Sequence, residues 1–383
     1  MSSLVPLDKS PANARRRGLR GRKLVGALGV LLAVFGSSGV PAVASAKQEV
    51  ASSQLAGKKV LIIPYWLDNF GIGFTHWMTA LLKAEGVTAT TINPNAVASA
   101  ELNAITTELA SHKYDAVVWE PIDENAAATT VKELQAAKIP QVVFQGVENG
   151  QWSAPDINLD ETHSLTNAGV IAATYIKTHP SLGKAPLAAF MGVYPQNTAC
   201  IERMNSLLNG MRSVMPNAKV VYFGAADGEA DATTKMTDFI NTHKAFNITD
   251  GCGSASTLGA LNALNAAGLA KAVNKVPQSI FVMTQDGTPP ELQYLWNKNS
   301  ALMVSSLLAP KTIAQATIPV VNGLLTGKIA LNASTTVNVG WSPLTPDCAK
   351  YRPNVLQQFA GVAGFTVPQC SFTYTGPVTW PVQ

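Results

Sequence analysis

The sequence predicts an α/β fold of two doubly wound parallel-sheet lobes, and three observations predict it. From Lys58 onward, short continuous apolar runs alternate with segments of helical period. The alternation runs through one series and then, after a Trp-, Pro- and Gly-rich stretch at Asn149–Asp156, through a second of similar length. The 383 residues also suffice for two sizeable cores at ~100–200 residues per domain.

Val60 to Ile63 is an apolar run too short for a helix and placed before a Pro- and Gly-containing turn, so it reads as a buried parallel strand. A helix is expected from about Gly73 to Glu85, stopped by Gly86. The cycle continues with strand Val87–Ile92, helix Ala98–Ser111, strand Ala116–Trp119, helix Glu124–Ala137 and strand Gln141–Phe144. The second series has a helix at Leu165–His179, strand Leu187–Met191, helix Ala199–Val214, strand Lys219–Phe223 and helix Ala232–His243. Strand Ile248–Gly251, helix Ser256–Ala267 and strand Ser279–Met283 complete it, followed by a strand at Leu302–Leu307 and a helix at Lys311–Leu325. Strands that alternate with helices of this length imply right-handed crossovers and sheets covered on both faces. From Trp341 the periodicity fails, and residues 346–383 read as an irregular C-terminal appendage.

The formal net charge of +4 is unevenly placed. Residues 1–46 carry seven basic groups, Lys9 to Lys23, against Asp8 alone, which leaves 21 basic and 23 acidic groups in the remainder. A near-neutral body with no basic stripe argues against nucleic-acid binding, which needs cations to displace the counterions of phosphates. The basic stretch, the apolar run from Leu24 to about Phe35 and Ala44-Ser45-Ala46 together have the form of a secretory signal peptide, residues 1–46, cleaved before Lys47. The apolar run is shorter than the ~20 residues of a spanning helix. A periplasmic or secreted location follows as the expectation, with the Sec and twin-arginine routes both open.

In that compartment Cys200, Cys252, Cys348 and Cys370 read as two disulfides, for which three connectivities exist. In a doubly wound lobe the first and third strands are neighbours. The loop before the Ala199 helix then lies beside the loop after Ile248, and this predicts Cys200–Cys252 and leaves Cys348–Cys370 to close the tail. A zinc site is disfavoured, because no Cys-x-x-Cys occurs and the five histidines are scattered.

Enzyme motifs are weak or absent. Gly251-Cys252-Gly253-Ser254-Ala255-Ser256 lacks the third glycine of a dinucleotide loop, and Gly323 to Lys328 is one residue short of a phosphate loop, with Ile329 where Ser or Thr is needed. Neither Gly-x-Ser-x-Gly nor His-Glu-x-x-His is present. Neither a cofactor nor a resident metal is expected, and binding ranks above catalysis.

Ligands of open α/β sheets sit outside the carboxyl ends of the strands. Those positions carry Trp66, Asp68, Asn69 and Phe70 after the first strand, Glu120 after the third and Gln145 after the fourth. In the second series they carry Tyr194, Gln196, Asn197, Gln285 and Asp286. Aromatic rings with carboxylates and amides suit a polyhydroxylated or amine-bearing small molecule, and the surplus of acceptors disfavours an anion. Asp68 and Asn69 are equally suited to capping a helix, Glu120 to a solvated loop and Asp286 to a turn before Gly287.

Leu67-Asp68-Asn69-Phe70, Leu258-Gly259-Ala260-Leu261, Asp286-Gly287-Thr288-Pro289 and Glu202-Arg203 together resemble the ribose-binding type of periplasmic solute-binding protein, the receptor of ATP-driven importers. The resemblance spans Lys58 to about Gly340. It implies ligand-binding roles for Asn69, Phe70 and Asp286 and brings Arg203 into the candidate set. Gln145-Gly146, Ile201, Gly253-Ser254 and Leu308 depart from the family's usual Asp-Arg, Arg, Asn-Asp and polar residue, so ribose itself is not the expected ligand. The resemblance further implies a three-stranded hinge, with crossings near Asp160, Ala309 and residues 334–340. One lobe would hold residues 58–159 with 309–335, the other 160–308 with 336–345. It implies a small-molecule ligand, an ABC importer permease as partner and a monomeric state. A sensory binding protein that presents an amine or small aromatic to a signalling receptor is the alternative.

Overall fold

The computed structural model describes residues 54–145, 153–193, 198–340 and 342–359. In chain order the first series is β1 (Lys59–Ile63), α1 (Asn69–Ala84), β2 (Thr88–Thr91), α2 (Ala98–Ser111), β3 (Ala116–Trp119), α3 (Glu124–Ala136), β4 (Gln141–Phe144) and β5 (Asp156–Asp160). The second is α4 (Glu161–Thr178), β6 (Leu187–Gly192), α5 (Thr198–Val214), β7 (Lys219–Ala225), α6 (Gly228–Asn241), β8 (Ile248–Gly251), α7 (Ser254–Ala266), β9 (Ala272–Val273), β10 (Val276–Pro277), β11 (Phe281–Asp286), α8 (Pro289–Leu295) and β12 (Leu302–Leu307). The chain closes with α9 (Pro310–Leu325), β13 (Thr336–Gly340), β14 (Ser342–Leu344) and α10 (Cys348–Phe359).

Two six-stranded sheets result, in the orders β13-β5-β4-β3-β1-β2 and β14-β12-β11-β8-β6-β7. All their pairings are parallel except β12 with β14. Central strands are buried on both faces, and Val60–Ile63, Ala116–Trp119 and Phe281–Asp286 contain no exposed residue, which is why they appear as unbroken apolar runs. Helices cover each sheet. Phe74 of α1 packs its ring 4.4 Å from that of Phe144, while α9 supplies Ile313, Ala314 and Val321 to the same core. In the second sheet, Ile171 and Ile176 of α4 and Leu207 and Met211 of α5 lie with Phe190 and Phe281.

In each sheet the first strand lies between the second and the third, so the topological switch falls between β1 and β3 and again between β6 and β8. Side chains that leave the carboxyl ends of these strands are therefore the ones that can meet a ligand. The chain passes between the sheets after β5, after β12 and between β13 and β14.

The sequence reading needs correction in several places, and it lacks β5 and α8 altogether. Residues 336–340, grouped with the second lobe, pair with β5 of the first sheet from Thr336 opposite Asp156 to Gly340 opposite Asp160, and only 342–344 join the second. This edge strand is mostly exposed, so no apolar run marks it. The stretch after residue 346 begins with a helix rather than irregular chain. Pro353 inside α10 disguises its period, yet Val355 and Phe359 are buried against Leu307 and Leu344. Lastly α1 starts at Asn69, four residues before the expected Gly73, because the Asp68 carboxylate accepts from the Gly71 N–H at 2.9 Å and caps it.

Candidate functional site

A cavity of about 730 Å³ opens between the carboxyl edges of the two sheets. Its first wall comes from the turn after β1, with Tyr65, Trp66, Asp68 and Phe70, and from Glu120 after β3. The opposite wall is formed by Arg203 of α5, by Cys252, Gly253 and Ser254 after β8, and by Asp286 at the end of β11. Gln145 and Leu308, at the ends of β4 and β12, close the hinge side. Trp66 reaches across the mouth, its indole 4.0 Å from where a Cβ on Gly228 would stand.

The turn after β1 is held by backbone-to-carboxylate bonds. Glu120 accepts from the Tyr65 N–H at 3.0 Å and is nine-tenths buried. Burial pushes its carboxyl up to about 8, helped by the negative charge of Asp68 and opposed by the Tyr65 bond and by Arg203. Behind it Glu101, buried in α2, accepts from the Ile122 N–H at 3.1 Å and is likewise pushed to about 8, chiefly by burial.

On the facing wall Asp286 accepts from the Ser254 N–H, at the start of α7, at 2.7 Å. Its φ of 92° is a conformation that costs a non-glycine residue energy and is concentrated at functional sites. Burial is the main reason its carboxyl rises to about 7, with Asp68 adding repulsion and Arg203 opposing it. The hydroxyls of Ser254 and Thr288 share a hydrogen bond of 2.8 Å, and Thr288 in turn caps α8 in a box with Glu291.

Arg203 is buried and doubly bound by Glu161, Nε to Oε2 at 2.8 Å and the terminal nitrogen to Oε1 at 2.5 Å. It also donates to the Cys252 carbonyl. Gln145, from the first sheet, donates to Glu161 at 3.0 Å, so one chain of polar groups runs from β4 through α4 to α5. The Cys200–Cys252 disulfide ties the start of α5 to the loop after β8, fixing the segment that carries Arg203 against the one that carries Gly253 and Ser254. Cys348 is also disulfide-bonded, while its expected partner Cys370 lies outside the described residues.

Of the residues singled out from sequence, Trp66, Asp68, Phe70, Glu120, Gln145, Arg203 and Asp286 are brought to this one cavity. Asn69 is not among its lining residues and is exposed at the first position of α1. Gln285 points away and donates to the buried Asp250 at 2.9 Å. Tyr194, Gln196 and Asn197 lie outside the described residues. Sequence reasoning missed Glu161, for which the acid at the head of a helix directly after Asp160 was the available signal, and Ser254, whose role depends on a strand 32 residues further on. Among the described residues no group of His, Cys, Asp and Glu could hold a metal ion, and no helix is long and apolar enough to cross a membrane.

A set of aromatic faces with inward carboxyl and amide groups, divided between two sheets joined by three crossings, is the arrangement of a two-lobed solute receptor. The sequence pattern of the periplasmic binding protein domain matches residues 60–329, and the chain belongs to that family. The fold is shared with an ABC transporter solute-binding protein from Bacillus halodurans with bound myo-inositol. Identity is 16%, the TM-score is 0.66, and the match covers 78% of this chain and 98% of that one. It is also shared with the periplasmic binding component of the arabinose ABC transporter from Shewanella, bound to L-arabinofuranose, at 17% identity and TM-score 0.67 over 82% and 100% of the two chains. A solute-binding protein from Agrobacterium vitis with bound allitol gives 19% and 0.66 over 79% and 100%. A search of curated protein sequences returns no match.

Proposed function

We propose that this protein is an extracytoplasmic solute receptor that takes a sugar or polyol into the cleft between its sheets and delivers it to the permease of an ABC importer. The observation that carries the reading is the 730 Å³ cavity lined from both sheets by aromatic rings and by carboxyl and amide groups. Carboxylates and amides accept from hydroxyls, and ring faces pack on the C–H faces of a sugar. The family and the bound myo-inositol, arabinofuranose and allitol of the structural relatives support it. Contacts made to both lobes at once favour the closed population by their differential affinity, so capture and release need no covalent step. Transport outside the cytoplasm fits the leader, with the working chain a monomer that starts at Lys47.

The test is a thermal-shift screen of the chain from Lys47, secreted by its own leader, against neutral and amino sugars, polyols, simple amines and small aromatics. A ligand at 100 times its dissociation constant adds ~2.7 kcal/mol, a rise of roughly 5–10 °C. The expected hit is a sugar or polyol. Stabilisation confined to aromatics or simple amines would overturn the reading.

A further inference from the structure

We propose that the ligand of this cleft is a sugar or polyol that carries a basic amine, its ammonium seated among Asp68, Glu120 and Asp286. The inference rests on the sugar or polyol reading above and narrows it. Glu120 and Asp286 are 8% and 7% exposed, line the cavity, and each uses one carboxylate oxygen on a backbone N–H. The second oxygen of each takes no hydrogen bond from the described residues. Neither is sealed away as Glu101 Oε1 is, so both face the cavity.

Asp123 and Asp227 also line the cavity, which brings the count of acidic lining residues to five. Arg203 is the only basic side chain among the described lining residues, and Glu161 neutralises it bidentately. Residues 146–152 and 194–197, which follow β4 and β6 in sequence, contain no Lys, Arg or His.

Asp68 belongs to the first wall and Asp286 to the second, and each of Glu120 and Asp286 feels the charge of Asp68. Closing the cleft on a neutral polyol obliges Glu120 and Asp286, already raised to about 8 and about 7, either to hold their protons or to bring like charges together in a medium that screens them poorly. An ammonium group placed between them turns that repulsion into attraction. It supplies the donors that the two open oxygens lack and can also lie against the faces of Trp66 and Phe70. Hydroxyls alone would satisfy the oxygens but leave the charge, and a carboxylate-bearing sugar would add to it.

The probes are D-glucosamine, D-galactosamine, D-mannosamine and 1-amino-1-deoxy-D-glucitol, each titrated calorimetrically at pH 7 beside its neutral parent and its N-acetyl derivative. At least one amine should bind ten times more tightly than both counterparts. Glu120→Gln should remove that advantage, lowering the affinity for the amine at least tenfold more than the affinity for its neutral parent. A neutral parent that binds as tightly as its amine overturns the inference and leaves the sugar or polyol reading standing. Absence of binding by every amine overturns the inference, while the thermal screen over sugars and polyols decides the broader reading separately. The comparison within the wild-type protein decides the matter even if Glu120→Gln does not fold.

Discussion

Arg203 is held by Glu161 at 2.5 and 2.8 Å, with both side chains almost wholly withdrawn from water. Removing one partner of a buried ion pair leaves the other charge uncompensated, which costs ~3–5 kcal/mol. Glu161→Ala is therefore expected to lose about that much in urea unfolding, while Glu161→Gln, which keeps an acceptor for the guanidinium, should lose less. Equal losses would show that side-chain packing rather than charge holds the site. The pair also marks the limit of sequence reading at this scale. Trp66, Asp68, Phe70, Glu120 and Asp286 are legible because each stands at, or in the turn after, the carboxyl end of a buried apolar run, which is where ligands of such sheets sit. Glu161 and Arg203 are 42 residues apart and meet only because α4 and α5 pack side by side.

At the scale of elements the packing of α4 on α5 depends on two glycines. A Cβ on Gly169 would strike the backbone of Leu207, and one on Gly210 that of Thr166, so the two helices touch through their backbones. Gly259, in the Leu-Gly-Ala-Leu segment, plays the same part between α7 and α6, where a Cβ would meet the Glu229 carbonyl. Gly210→Ala should raise helix propensity by up to ~1 kcal/mol yet destabilise the protein by ~1–3 kcal/mol through the forced separation. A stabilised variant in chemical denaturation would contradict the close contact. Most buried strands were legible from their length and apolar character, but β5 was not, because Asp156, Asn158 and Asp160 interrupt its apolar residues. Exposed β13 and the proline-containing α10 were not, because their neighbours rather than their own residues determine their conformation. Trp77 of α1 donates to the Gln358 carbonyl, and Thr312 of α9 donates its N–H to the Gln358 side chain at 3.1 Å, so α10 is set by contacts with elements far back in the chain.

For the molecule as a whole the buried acids make stability depend on pH. Glu101 and Glu120 rise to about 8, and Asp250 and Asp286 to about 7. A carboxyl with a higher pKa folded than unfolded binds more protons in the native state between the two values, so stability falls as pH rises through that window. The contribution is complete below about 4 and lost by about 8. Lys275, buried with its Nζ on the carbonyls of Tyr294, Ser300 and Leu302 and lowered by burial, acts in the opposite sense. Burial raises Asp68 and Glu291 in the same direction, so six carboxyls against one amine leave the acids dominant. The ligand-free protein should melt roughly 5 °C lower at pH 8.5 than at pH 5.5, and Glu101→Gln should flatten the slope. A melting temperature that climbs over this range would contradict the assignment.

The central claim is that one ligand is gripped from both sheets, and Asp286 tests it most directly because it stands at the end of β11, opposite Trp66, Phe70 and Glu120. Asp286→Ala removes a charge-assisted acceptor worth ~1.5–3 kcal/mol. Calorimetric titration of this variant with the ligand identified by the thermal screen should show affinity reduced roughly ten- to a hundredfold, with the melting transition still cooperative. Affinity equal to that of the wild type, in a variant that remains folded, would mean that the second sheet does not hold the ligand.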